Sequence, residues 1–94
     1  MYYSKVVEYW ILFYLKNKKT PVFKSDKAKS NWQILDKLLN SLSEKDREFI
    51  SSFYRSTHKH GTILTYSNAY NIPQHLLWIK INNFEKEYAD KKGI

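Results

Sequence analysis

The side chains that could do chemistry in this chain are few, and their spacing argues against catalysis. His58 and His60 stand two apart in STHKHG. That pair would need a third ligand and a strand to hold both imidazoles on one side, and with no cysteine in the chain no metal site is expected. Glu85, Glu87 and Asp90 fall near a helix end as solvated charges, with no Ser or His at a spacing that would make an acid–base pair. The two glycines, Gly61 and Gly93, cannot build a phosphate-cradling loop. No cofactor and no enzymatic activity are expected. What remains is hydrogen-bonding chemistry. Gln74, His75 and Asn82, with Lys80 and Asn83 beside them, carry amide, imidazole and ammonium groups along one segment that reads as a helix.

That segment belongs to the stretch Thr62–Glu85, TILTYSNAYNIPQHLLWIKINNFE, which reads as a short helix, a tight turn and a longer helix. Thr62 is the expected cap of the first helix, its hydroxyl accepting an orphan N–H. Asn71 occupies the turn, where a positive φ is tolerated. Pro73 is favoured at the first position of the next helix, read as Pro73–Tyr88. Leu77, Ile81, Phe84 and Tyr88 recur at spacings of four, three and four, the apolar stripe of an amphipathic helix.

The elements upstream must support this unit. Met1–Lys18 reads as a helix that is apolar nearly all round. Tyr3, Val6, Val7, Trp10, Phe13 and Tyr14 line one side, and Tyr2, Tyr9, Leu12 and Leu15 the other. A helix without a polar face is expected to be buried on both sides, in the core or in a homodimer contact through Tyr9 and Trp10. Lys16–Lys29 is a basic loop whose lysines and Pro21 stop the first helix, with Val22 and Phe23 available to tack it down. Ser30–Leu42 is the second helix, beginning at Asp26 at the earliest, with Trp32, Leu35, Leu38, Leu39 and Leu42 on one face and Ile34 beside it. Ser43 caps a third helix, Glu44–Arg55, that buries Phe49, Ile50, Phe53 and Tyr54 and projects Asp46, Arg47 and Glu48. Ser56–Gly61 is a loop, and Gly93 marks the final stop.

Composition agrees with an all-α domain. Ninety-four residues suit one domain, 17% aromatic content supplies bulk for a core, and two Gly with two Pro are too few for the turns of a β-fold. The expectation is a small bundle of four to five helices containing a helix-turn-helix, with residues 1–38 supplying N-terminal helices. The net charge of +7, from sixteen Lys and Arg against nine Asp and Glu, favours a polyanion partner. Abundant Lys, Asn, Ile and Tyr would also follow from an A·T-rich coding sequence. The apolar run Tyr9–Leu15 is seven residues, well short of the ~20 needed to span a bilayer. No membrane partner is expected, and the absence of cysteine fits a reducing cytoplasm.

Tyr66, Ser67, Tyr70, Asn71, Ile72, Pro73, Leu77 and Ile81 fill, in order, the places of a helix-turn-helix pattern. Ser67 is the small residue at the close approach, and Ile72 plugs the angle between helices. With the preceding LNSLSEKDREFISSFY, Leu39–Tyr54, residues 39–92 resemble region four of sigma factors and the small phage late regulators of the ArpU and RinA type. That resemblance implies a DNA-binding transcriptional regulator of phage or mobile-element origin. Helix 73–88 would enter the major groove, with Gln74, His75 and Asn82 toward base edges and Arg55, Lys59, Thr62 and Lys80 on phosphates. The alternative is a protein-interaction module docking on RNA polymerase or another host protein. Its anchor would be an exposed Leu76, Trp78 and Ile79 surface.

Overall fold

Serine starts three of the helices. Ser4 Oγ accepts the Val7 N–H, Ser25 Oγ that of Ala28 and Ser43 Oγ that of Asp46, at 3.3, 3.1 and 3.2 Å. The computed structural model describes residues 3–19 and 22–93 and is all-helical there, with no strand among the described residues. In chain order the helices are α1 (Lys5–Lys16), α2 (Asp26–Asn40), α3 (Glu44–Arg55), α4 (Lys59–Tyr70) and α5 (Gln74–Lys92). The expected helical start at Met1, the place of Tyr2 and the Pro21 stop lie outside the described residues. No helix among those described is long and apolar enough to cross a membrane.

The bounds of α3 are those its sequence pattern predicts, and α2 takes the earlier of its two expected starts. Helix α1 is shorter than expected, Lys5–Lys16 rather than Met1–Lys18. Asn17 ends it, its backbone N–H reaching the carbonyls of Phe13 and Tyr14 and its side-chain amide the Phe13 carbonyl. Helix α4 begins before Thr62, which corrects the capping role expected for that residue. The Thr62 N–H already donates to the His58 carbonyl at 3.0 Å, and its hydroxyl bonds back to the same oxygen. Pro73 precedes α5 as its cap instead of occupying its first position, and α5 runs past Tyr88 to Lys92, up to the expected glycine stop. Gly93 at φ 81° then ends it.

Each helix packs most extensively on two others, and these main contacts close a ring: α1 on α2, α2 on α5, α5 on α4, α4 on α3, and α3 back on α1. The core fills its centre. Leu35, Leu38 and Leu39 come from α2, Phe49, Ile50, Phe53 and Tyr54 from α3, Ile63 from α4, and Leu77, Trp78, Ile81, Phe84 and Tyr88 from α5. Each large apolar side chain withdrawn this way stabilises the fold by roughly 1.5–3 kcal/mol. Inside the α2–α5 seam the Tyr88 hydroxyl donates to Oδ1 of the fully buried Asn31, whose amide donates in turn to the Lys27 carbonyl at 2.8 Å. Both polar groups are thus satisfied away from water, and burial pushes the Tyr88 phenol up to about 12.

Helix α1 departs from its expected two-sided burial. Only Val7, Ile11 and Tyr14 are buried, at spacings of four and three, while Val6 and Tyr9 stay 60% and 63% exposed. The ring gives α1 neighbours on one side only, so a single stripe suffices. Phe23 packs on the Trp32 ring at 5.7 Å, but Val22 stays exposed.

The turn between α4 and α5 has the expected left-handed residue. Asn71 has φ 54° and ψ 46°, and the Ile72 N–H reaches back to the Ser67 carbonyl at 3.1 Å, a Schellman closure. The Ser67 hydroxyl donates to the Ile72 carbonyl, and Ile72 packs against the core. A β-branched side chain is strained at positive φ, so Asn71→Val should cost roughly 1–2 kcal/mol and Asn71→Gly close to nothing. Urea denaturation measures both. Equal stability of the Val and Gly variants would contradict the left-handed turn.

Candidate nucleic-acid interface

Helices α3, α4 and α5 form a braced trio. Phe53 of α3 meets Trp78 of α5 edge to face at 5.5 Å, Phe49 meets Tyr66 of α4 at 5.3 Å, and the Tyr66 hydroxyl donates to Ser52 Oγ at 3.0 Å. With Leu77, Ile81, Phe84 and Tyr88 turned inward, α5 shows solvent an opposite stripe of His75, Ile79, Asn82 and Lys86, again at four, three and four. Gln74 is exposed at the first turn, off that stripe, and Leu76 flanks it. The three base-edge candidates are therefore all solvent-facing, with His75 and Asn82 sharing one line.

The phosphate candidates fare differently. Arg55 is exposed. Lys59 is not available. Its side chain is 9% exposed and its ammonium lies 2.8 Å from Glu8 Oε2. The same ammonium donates to the carbonyls of Tyr54 and Ser56 and sits 5.3 Å above the Tyr3 ring. Lys59 is thus an internal strut joining α1, α3 and α4, a correction to its expected place on DNA. Lys80 is half-exposed but paired with Asp46 at 3.2 Å, bridging α5 to α3. Thr62 spends its hydroxyl on its own helix.

Two further charges are internal rather than solvated. Arg47 sends Nε to the Leu39 carbonyl and Nη2 to that of Leu42, at 3.2 and 3.3 Å, closing the C-terminal end of α2. Glu85 accepts the Ser4 N–H on both carboxylate oxygens at 3.0 Å and the Tyr54 hydroxyl on one of them. It therefore ties the start of α1 to α5 and α3. Burial raises the Glu85 carboxyl above its ordinary 4.5, and nearby Glu8 adds to the rise, while the hydrogen bonds from Tyr54 and Ser4 oppose it. Burial and the same carboxylate push the Tyr54 phenol up strongly.

An acid whose pKa is raised on folding binds its proton more tightly in the native state. Its contribution is fully present below the unfolded pKa and is lost as pH rises through the folded one. Stability should accordingly decline as pH climbs from about 4.5. In Glu85→Gln, which keeps an acceptor for Ser4 or Tyr54, that part of the slope should vanish. Urea midpoints across the pH range decide it, and an unchanged slope in the variant would assign the decline to other groups.

The protein-interface candidates do not form one surface. Tyr9 is 63% exposed, with Trp10 half-buried and edge-on to both Tyr9 and Phe13 at 5.0 and 5.7 Å. Ile79 and Leu76 are 41% and 42% exposed, but Trp78 is 6% exposed, held between Phe53 and His60. The expected joint Leu76, Trp78 and Ile79 anchor is therefore corrected: Trp78 faces the core. His58 is exposed near the start of α4 and His60 packs its ring on Trp78 at 5.3 Å, and no group of three His, Cys, Asp or Glu able to hold a metal occurs among the described residues. Sequence reasoning also passed over the outward face of α2, where Lys29, Ser30, Gln33 and Lys37 are all exposed. Its polar periodicity was the available signal. The chain matches no family model, no curated protein and no solved structure.

Proposed function

We propose that this chain is a small, non-enzymatic transcriptional regulator that contacts duplex DNA through α5. The observation that carries the reading is the α4–α5 unit. Two packed helices join through a left-handed Asn71 turn with Ser67 at the crossing, α3 braces them from behind, and the first turn of α5 offers Gln74 and His75 to solvent. A helix held this way can present its N-terminal residues to the major groove, where a glutamine amide bridges adenine N6 and N7. Asn82 lies two turns further along the line of His75.

The test is selection from a random duplex pool, followed by binding titrations of the enriched site. Gln74→Ala should lower the preference for that site about tenfold or more, the worth of a bidentate base contact. Binding that enriches no sequence would sink the reading. A second reading, docking on a partner protein such as RNA polymerase, draws on the exposure of Leu76 and Ile79 without Trp78. Ile79→Ser, which puts no charge on the line of His75 and Asn82, would then abolish capture of the polymerase.

A further inference from the structure

The free positive charge of this protein lies away from the first turn of α5. Residues 16–37 carry seven lysines against two aspartates, a net +5 out of the chain's +7. All seven lysines are exposed, and the ion pairs among the described residues, Lys59–Glu8 and Lys80–Asp46, use none of them. Residues 59–92 hold five lysines against three acids, and two of those five are the paired Lys59 and Lys80.

Geometry gathers part of this charge with neutral donors. On α2, Ser30, Gln33 and Lys37 stand at spacings of three and four with Lys29 beside them, and Lys91 of α5 faces them across an open groove. Asp36 also lines the groove, its carboxylate accepting the Tyr14 hydroxyl at 2.8 Å and the Asn40 amide at 3.1 Å, and its charge offsets one of the three lysines. Ser30 to Lys37 rises about 10 Å along α2, the span of about three phosphates on one strand. Lysine ammoniums as point charges, with a hydroxyl and an amide between them, suit a run of phosphate oxygens.

We infer that Lys29, Ser30, Gln33 and Lys37 of α2, with Lys91 of α5, form a nucleic-acid backbone contact separate from the first turn of α5. Gln74 and Lys91 are about 25 Å apart along α5, so the two ends meet different stretches of backbone. This contact reads no sequence. It supplies the electrostatic part of binding that Lys59 and Lys80, being paired, do not.

The experiment measures duplex affinity against salt for three proteins: the unsubstituted chain, Lys29→Gln/Lys37→Gln/Lys91→Gln, and the charge-matched Lys5→Gln/Lys16→Gln/Lys45→Gln. Circular dichroism confirms that each is folded. The first triple variant should flatten the slope of log affinity against log salt by about 2–3, nearly one per lost phosphate contact. At moderate salt it should also bind at least tenfold more weakly, while the matched variant keeps the original slope. Equal slopes in the two variants would overturn the inference, because net charge alone would then explain binding. Polyglutamate bound as tightly as duplex would overturn it as well, marking a face for acidic proteins. The outcome is separable from that for α5. Loss of preference in Gln74→Ala with an unchanged slope bears on α5 alone, and a flattened slope without any enriched sequence supports the α2 face alone.

Discussion

Lys59→Met should lose roughly 3–5 kcal/mol of stability and melt at least about 12 °C below the unsubstituted chain. The ammonium of Lys59 is the meeting point of α1, α3 and α4. It pairs with Glu8 at 2.8 Å in surroundings that leave the two side chains 9% and 18% exposed, and it satisfies two carbonyls near the end of α3. Removing it strands the Glu8 carboxylate in a poorly solvated site and leaves the Tyr54 and Ser56 carbonyls without their donor. The stranded charge is the larger part of the loss, so Glu8→Gln/Lys59→Met should recover a good share of it. Thermal melts of the single and double variants give the answer. A Lys59→Met protein within about 1 kcal/mol of the original would mean a solvated ammonium. It would return Lys59 to the set of residues able to meet a phosphate.

The second large effect is at Trp78. An exposed anchor can be truncated with little loss of stability, whereas a buried one cannot. Trp78 is 6% exposed, edge-on to Phe53 and tilted against His60, and Phe53 in turn meets Tyr3 and Tyr54 at 5.6 and 5.1 Å. Trp78→Ala should therefore cost roughly 3–5 kcal/mol by leaving a cavity at this aromatic junction, and Trp78→Phe distinctly less. Leu76→Ala and Ile79→Ala, on the exposed side of the same helix, should change stability by about 0.5 kcal/mol or less. Denaturant midpoints on the four variants separate the core side of α5 from its free side. A stable Trp78→Ala protein that loses a partner would instead place Trp78 at an interface. The contrast also guards the DNA experiments: loss of binding in Trp78→Ala would report unfolding, while loss in Gln74→Ala would not.

Features set by neighbours a few residues apart are legible in the chain. The Ser43 cap and the bounds of α3 follow from a serine ahead of two acids and an apolar run at helical spacing. The inward line Leu77, Ile81, Phe84 and Tyr88 follows from spacings of four, three and four. Asn71 was legible as the left-handed turn because few residues accept that conformation. The outward placement of His75 and Asn82 follows from the same periodicity, being the other side of the helix that Leu77 and Ile81 bury, whereas Gln74 falls on the line of Leu77 and Ile81 and is exposed because it opens the first turn.

The fate of individual charges was not legible. Lys59, Arg47 and Glu85 look like surface residues in the sequence, and each becomes an internal tie through a partner contributed by another helix. Glu85 meets Ser4 across a separation of 81 residues and Asn31 meets Tyr88 across 57, distances at which no local pattern operates. The first helix shows the converse. Its sequence is apolar on every side, but the ring of helices supplies neighbours on one side only, and Val6 and Tyr9 are left in solvent.

The sequence by itself thus determined the helical class, the bounds of α3, the α4–α5 turn and the inward lines of α2, α3 and α5, because caps, turns and amphipathic spacing act over a few residues. Only the tertiary structure decided which cations are free to meet a polyanion. Pairing with Glu8 and Asp46 withdraws Lys59 at the start of α4 and Lys80 of α5 and leaves seven unpaired lysines on α2 and its flanks. The physical reason is that a charge's availability depends on desolvation and on partners brought close by folding, and neither is encoded in the residues next to it.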